Sequence, residues 1–298
     1  MCATLDEMIG LRRMIAAGSL LAIAGVCLLP ATTLAADPVL VGAGDIAYCG
    51  STGDSATARL LTAIPGTVFT TGDNAYDSGT SSQYANCYGP TWGQVRIRTR
   101  PTPGNHDYLT SGAGGYFGYF GTRAGAKGKG YYAYNVGSWR VYALNSNCGY
   151  VSCGSTSAQA AWLKADLAAN PRRCVLAYWH HPLFSSGLHG NNSVVKPLWN
   201  ILYAAHADVV VNGHDHDYER FARQSPGGVR TTRGIREFVV GTGGRSHYAS
   251  ATIKPNSLAR NNTTYGVLKL TLHSTSYSWK FVPIAGRTYT DSGTTTCS

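Results

Sequence analysis

No Cys-x-x-C pair occurs among the eight cysteines of this 298-residue chain, which argues against a thiolate zinc module. No proline-rich or Gly/Ser-rich tract divides the sequence and no segment repeats, so linker-joined modules and solenoids are excluded. Nucleic-acid motifs built on a helix or ribbon are absent too, despite a formal net charge of +10. The longest apolar run, Met14 to Leu29, is short for a membrane-spanning helix and is interrupted by Gly18 and Gly25. Finally, no serine or cysteine stands in a nucleophile motif.

What is present begins with a leader. Arg12 and Arg13 precede the apolar run, Pro30 follows it, and Thr33-Leu34-Ala35 suits cleavage before Ala36. Residues 1–35 are therefore expected to be a signal peptide. Cys27 is not a lipid-attachment site, because Val26 before it is too large. Export would carry the chain to an extracellular or periplasmic space, with no membrane association after cleavage. Loss of Asp6, Glu7, Arg12 and Arg13 removes two charges of each sign, so the mature chain keeps +10 and favours anionic partners. Residues 36–298 are expected to form a single domain.

Six cysteines remain after cleavage, an even number that in an exported chain reads as disulfides. Cys148 and Cys153 flank a short turn and suit a local bridge. Cys49 and Cys87, both in loops after predicted strands, are plausible mates, which leaves Cys174 with Cys297.

Apolar, β-branched runs predict buried strands over 39–45 and 67–73, with a short helix near 55–64 between them, a β-α-β unit. A third strand ends in 100–107. Arg96, Arg98 and Arg100 alternate as if on one strand face. A Gly- and Tyr-rich loop follows to about residue 130, then a hairpin across Gly137-Ser138. Helices are predicted over Ser157 to Ala169, with an apolar stripe of Ala161, Trp162, Leu163 and Leu167, and over Val194 to His206. Strands are predicted over 174–182 and 208–217. Successive strands in the C-terminal third suggest a mixed, partly antiparallel second sheet. The fold class is α/β, two mixed sheets packed as a sandwich flanked by helices.

Five of the predicted strand ends carry metal-type side chains: Asp45, Asp73, Asn105-His106-Asp107, His180-His181 and His214-Asp215-His216. In an open α/β sheet the carboxyl ends of strands converge on one crevice. Carboxylate, carboxamide and imidazole together suit Zn, Mn or Fe better than calcium, which takes oxygen alone.

This series resembles the five-block pattern of the calcineurin-like metallophosphoesterases over residues 45–216. The first block here is Asp45-Ile46-Ala47, without the usual histidine. Gly72-Asp73-Asn74-Ala75-Tyr76 is instead similar to the Gly-Asp-x-x-Tyr of purple acid phosphatases, and Gly213 to Arg220 is similar to their Gly-His-x-His-x-Tyr-Glu-Arg. The resemblance implies an αββα catalytic domain, without the N-terminal β-domain of the plant enzymes. It also implies two metal sites, one of Asp45, Tyr76 and His216, the other of Asn105, His180 and His214, with Asp73 bridging. His180 is preferred to His181 because it stands two residues before Pro182. His106 would face the phosphoryl group with Asp107 orienting its imidazole. His189 would assist, and Gly190 replaces a second histidine and opens the outer pocket.

The activity implied is hydrolysis of phosphate monoesters, on phosphorylated small molecules or a broad range of esters, by attack of a metal-bound hydroxide. The alternative on the same site is a phosphodiesterase or nucleotidase. A binder without activity fits less well, since seven ligands for two ions leave room for water and substrate. A phenol ligand favours iron(III) at the Tyr76 site and a divalent ion (Fe, Zn or Mn) at the other. His247, after the Gly241 to Gly244 turn, is a candidate to line the crevice. His206 suits a helix C-terminus.

Overall fold

The structure, a computed structural model, describes residues 36–249 and 251–298; the expected leader, with Cys2 and Cys27, lies outside them. Strand β1 (Val39–Ala43), helix α1 (Gly53–Ala63) and strand β2 (Thr67–Thr71) make the β-α-β unit, with β1 and β2 parallel. Both strands stop two residues earlier than expected, because Asp45 and Asp73 adopt φ of 59° and 49°. That is left-handed backbone, which a non-glycine residue occupies only when its surroundings hold it there.

After a three-residue helix α2 (Ser81–Gln83), the chain departs from expectation at the arginines. Trp92–Arg98 is a 3-10 helix and β3 (Thr99–Thr102) starts only behind it. The three guanidiniums therefore diverge. Arg96 lies 4.9 Å from the Tyr119 ring centre, Arg98 donates to the Gly66 carbonyl at 2.6 Å, and Arg100 lies 5.7 Å from the Tyr134 ring. β3 is an edge strand, which is where Pro101 can lack its N–H. The Gly- and Tyr-rich segment is not all loop. It contains α3 (Gly114–Phe120), whose Phe120 packs on Tyr84 and Tyr88.

β4 (Tyr132–Val136) and β5 (Trp139–Ala143) form the expected hairpin. Ser157 caps α4 (Ala158–Ala169), its Oγ accepting from Ala160 N at 3.1 Å. The helix buries Gln159, Ala160 and Leu163, whereas Ala161 of the expected stripe is exposed. β6 (Val175–Tyr178), α5 (Lys196–Ala204) and β7 (Val209–Asn212) follow. Then come β8 (Tyr218–Phe221), β9 (Arg236–Val240), β10 (Ser257–Asn261), β11 (Gly266–Leu272), β12 (Ser276–Pro283) and β13 (Ser292–Thr296).

Two mixed sheets result, β13-β12-β11-β1-β2-β3 and β10-β8-β9-β7-β6-β5-β4. The C-terminal strands do not build a separate sheet: β11 pairs antiparallel with β1 and completes the first, while β9 pairs parallel with β7 in the second. Strand alternation sets the layers. In β6 and β7, Leu176, Tyr178, Val209 and Val211 join the core between the sheets, together with Phe69, Leu268 and Phe281. Val175, Ala177 and Val210 face the other way, onto Leu163 of α4 and Leu198, Trp199 and Leu202 of α5. Disulfides join Cys49 to Cys87, Cys148 to Cys153 and Cys174 to Cys297. No helix among the described residues is long and apolar enough to cross a membrane.

Candidate metal centre

The carboxyl ends of β1, β2, β3, β6 and β7 open on one cleft where the two sheets meet. The Gly44 N–H donates to Val240 O at 2.9 Å, and Gly243 N–H to Gly44 O at 2.9 Å, stitching the sheets together there. The packing leaves no room for side chains behind the site. A Cβ on Gly104 would lie 2.0 Å from Asp73 Oδ1, and one on Gly72 would lie 2.7 Å from His180 Nδ1.

All seven residues of the expected ligand set gather in this cleft. Tyr76 Oη lies 2.9 Å from Asp45 Oδ1, 3.1 Å from His216 Nε2 and 3.0 Å from Asp73 Oδ2. That same Asp73 oxygen is 3.4 Å from His180 Nε2, which in turn lies 2.9 Å from Asn105 Oδ1 and 3.2 Å from His214 Nδ1. Asp73 thus stands between two groups of three. His214 shares the left-handed backbone of the two aspartates, with φ 74°, and its N–H donates to Asp45 Oδ2 at 2.9 Å.

The far nitrogens of two histidines are fixed by carbonyls. His180 Nδ1–H donates to Thr71 O at 2.8 Å and His216 Nδ1–H to Ser246 O at 2.5 Å. Both Nε2 atoms are therefore turned inward. A surplus of lone pairs follows: one phenolic proton serves two carboxylate oxygens and an imidazole nitrogen, and His180 Nε2 faces a carboxylate and a carboxamide oxygen. Cations resolve that surplus, so the residues present fit metal ions, and the mixture of donors is that of iron, zinc or manganese.

Charge coupling inside the cleft is strong. Burial alone would raise Asp73, but the His180 and His106 imidazoles hold its carboxyl well below the usual range. Burial would lower His180, yet Asp73 and Asp45 push it up to about 9. Burial and then the charge of His180 drive His214 down, and the same two causes take His181 to about 3. Burial and the Asp45 and Asp73 charges push the Tyr76 phenol well above 10. Only a strong competing cation would displace that proton.

Around the centre, the structure departs from expectation at Asp107, and the candidate His247 lies off the cleft. His106 reaches the cleft with Nε2 3.9 Å from Asp73 Oδ2 and a side chain 31% exposed. Its Nδ1 is held by the Asp77 carbonyl at 2.6 Å, and Asp107 does not orient it. The Asp107 carboxylate instead accepts from Tyr84 Oη at 2.6 Å, Gly104 N at 2.9 Å and Asn74 Nδ2 at 3.0 Å, bracing the loop that bears Asn105. His181 bonds Ser146 Oγ at 2.8 Å and packs 4.5 Å from the His214 ring. His189 stacks on His214 at 4.4 Å, its N–H donating to Asp215 Oδ1 at 2.8 Å, and a Cβ on Gly190 would meet only open space. His247 faces away: it bonds His216 O at 3.0 Å and lies on Tyr265. Its neighbours Arg245 and Tyr248 take the cleft side instead, Tyr248 stacked on His216 at 4.0 Å. The sequence signal for them was the Gly241 to Gly244 turn, which marks the loop without telling which of its side chains points inward.

The tail of the last block is structural. Glu219 accepts from Ser186 N at 2.7 Å and Ser186 Oγ at 2.6 Å, steadying the loop that leads to His189. Tyr218 and Arg220 both bond Asp291, at 2.7 Å each.

Comparisons with known proteins accord with this geometry. A family model for Calcineurin-like phosphoesterase matches residues 37–218. Purple acid phosphatase 15 of Arabidopsis thaliana is 27% identical over 217 residues, 60% of this chain and 40% of that protein. Purple acid phosphatase 22 of the same plant is 33% identical over 99 residues, 31% of this chain and 22% of that one. This chain spans less than half the length of the curated relatives it matches. Among solved structures, purple acid phosphatase PPD1 from yellow lupin (Lupinus luteus) seeds has a TM-score of 0.67 at 19% identity, over 87% of this chain and 53% of that chain. GAP50, the anchor in the inner membrane complex of Plasmodium, has a TM-score of 0.63 at 14% identity, over 86% of this chain and 88% of that chain. At those identities the likeness is one of fold.

Proposed function

Since this chain belongs to the calcineurin-like phosphoesterase family, we propose that it is a dinuclear-metal phosphoesterase of the purple acid phosphatase type acting on phosphate monoesters. A protein of the same fold is described as an anchor, so fold does not decide activity and the site must. The observation that carries the reading is the single oxygen, Asp73 Oδ2, that faces both Tyr76 Oη at 3.0 Å and His180 Nε2 at 3.4 Å.

Asp45, Tyr76 and His216 would hold one ion, Asn105, His180 and His214 the other, and Asp73 both. When bound, two such cations activate water near neutral pH and neutralise charge on the entering and leaving oxygens of a phosphoryl group. The chain's own residues do the rest. The carbonyls of Thr71 and Ser246 keep two imidazoles aimed inward, and the Asp77 carbonyl fixes a proton on His106 Nδ1. With a second proton on Nε2, as the imidazolium, His106 would donate to a phosphoryl oxygen and pass that proton to the departing alcohol, leaving the neutral ring with its hydrogen on Nδ1. His189, exposed at the mouth on the His214 ring, is placed to assist at the outer phosphoryl oxygens. Iron(III) suits the Tyr76 position, because a phenol pushed so far above 10 ionises there only against a strongly charged ion.

Three disulfides support export to an oxidising compartment, as the leader implies, with residues 36–298 as the working domain. The open space beside Gly190 is what favours the diesterase alternative. Metal-loaded protein assayed with para-nitrophenyl phosphate and bis(para-nitrophenyl) phosphate separates the two. The expected result is a higher kcat/KM for the monoester. The reverse order establishes a diesterase, and hydrolysis of neither refutes the phosphoesterase reading.

A further inference from the structure

Arg245 stands at the rim of the metal centre, and nothing in the chemistry above uses it. Its main-chain N–H donates to the Asp45 carbonyl at 2.9 Å, so its position is tied to that of the ligand loop. The guanidinium carbon lies 5.1 Å from the centre of the Tyr76 ring and 4.3 Å from that of Tyr48. Nη2 pairs with Asp77 Oδ1 at 3.2 Å. Asp77 therefore touches two groups at once, His106 through its carbonyl and Arg245 through its carboxylate. Arg245 accordingly lies on the flank of the cleft from which His106 would protonate the leaving alcohol.

The guanidinium is poised rather than consumed. Among the described residues, Asp77 is the one acceptor its side chain engages, leaving most of its five N–H donors unassigned. The two side chains of that pair are 28% and 55% exposed, and an ion pair so open contributes only about 0–1 kcal/mol. Stability is thus a weak reason for an arginine here. Stacking on Tyr48 and Tyr76 orients the planar fork without using its N–H groups. A fork held in that way matches the two oxygens of a carboxylate or phosphate.

We propose that Arg245 is a specificity-determining residue that binds a second oxyanion, carboxylate or phosphate, carried on the leaving group of the phosphomonoester; this rests on the phosphoesterase reading above. Asp77 is the built-in competitor for the same fork. An incoming anion must share the guanidinium with the Asp77 carboxylate and meets that negative charge as it does so. The preferred substrates are therefore monoesters of hydroxy acids or of alcohols that bear another phosphate.

The opposing roles of the two residues make the test. The metal-loaded full chain is assayed with meta-carboxyphenyl phosphate, the bisphosphate of resorcinol, and meta-carbamoylphenyl phosphate as the neutral reference. The readout is the ratio of kcat/KM for each anionic ester to that for the reference. Arg245→Ala should lower the ratio on the order of 10–100-fold, chiefly through KM, the worth of one hydrogen-bonded charge contact. Arg245→Lys should recover part of it, and Asp77→Asn should raise it above wild type. A merely structural ion pair would make Arg245→Ala and Asp77→Asn act alike, so two falling ratios, or two unchanged ones, overturn the proposal. A fall in Arg245→Ala with one anionic ester only supports the proposal and identifies the oxyanion. Failure to cleave any of the three esters refutes the phosphoesterase reading itself, a result distinct from an unchanged ratio.

Discussion

The Nδ1 of His106 is held by the main-chain oxygen of Asp77 at 2.6 Å. A carbonyl can only accept, so one ring hydrogen stays on Nδ1, and the proton for the leaving alcohol has to be carried on Nε2, which faces the cleft. His106→Ala is expected to keep both metals, since the side chain is outside the ligand set, and to turn over on the order of 10²–10⁴-fold more slowly. Metal content measured beside kcat checks this. A parallel loss of metal would move His106 among the ligands.

In the proposed reading, Tyr76 separates the purple acid phosphatase type from the rest of the family. Phenolate bound to iron(III) absorbs visible light by charge transfer, so oxidised, iron-loaded protein should be violet to pink. Tyr76→Phe should lose the band. A spectrum unchanged by the substitution, or no band in active iron-loaded wild type, removes Tyr76 from the ligands.

Away from the cleft, Asp291 accepts from Arg220 Nε at 2.7 Å, Tyr218 Oη at 2.7 Å and Trp279 Nε1 at 3.1 Å. Burial would raise its pKa, but the bonds from Arg220 and Tyr218 and the arginine charge hold it below 3.8. A depressed folded pKa means the stabilisation is complete above 3.8 and fades as pH falls through the lower folded value. Asp291→Asn should cost about 2 kcal/mol at neutral pH. Thermal melts of the two proteins should draw together only as pH falls below 3.8 and through the lower folded value; a gap that persists into strong acid would contradict the pairing.

Of the seven residues gathered in the cleft, Asp45, Asp73, Asn105 and His214 follow a glycine and His180 closes an apolar run, a pattern that marks the end of a buried strand, whereas Tyr76 and His216 were singled out by the family resemblance. What local pattern could not carry was decided by backbone or by distant partners. The group that fixes His106 is a carbonyl, which any residue supplies, so the carboxylate of Asp107 drew the attention that belongs to Asp77. The loop that carries Arg245, His247 and Tyr248 leaves Gly244 at a φ of 155°. Residue type singled out His247 as a candidate and gave no sign of Arg245 or Tyr248. The arginines at 96, 98 and 100 alternate as a strand would, yet Arg96 and Arg98 lie in a 3-10 helix. Likewise β11 resembles any amphipathic strand, and its place beside β1 rests on a pairing more than 200 residues apart, as in Val39 with Thr271.

Asp73, through Oδ2, stands between the two halves of the centre. Metal analysis of purified wild type and Asp73→Asn, with para-nitrophenyl phosphate turnover on the same samples, tests it directly. Wild type is predicted to hold two ions per chain and to be active, and the variant to lose most of both together. A variant that keeps two ions and full activity would contradict the bridging role and the dinuclear site built on it.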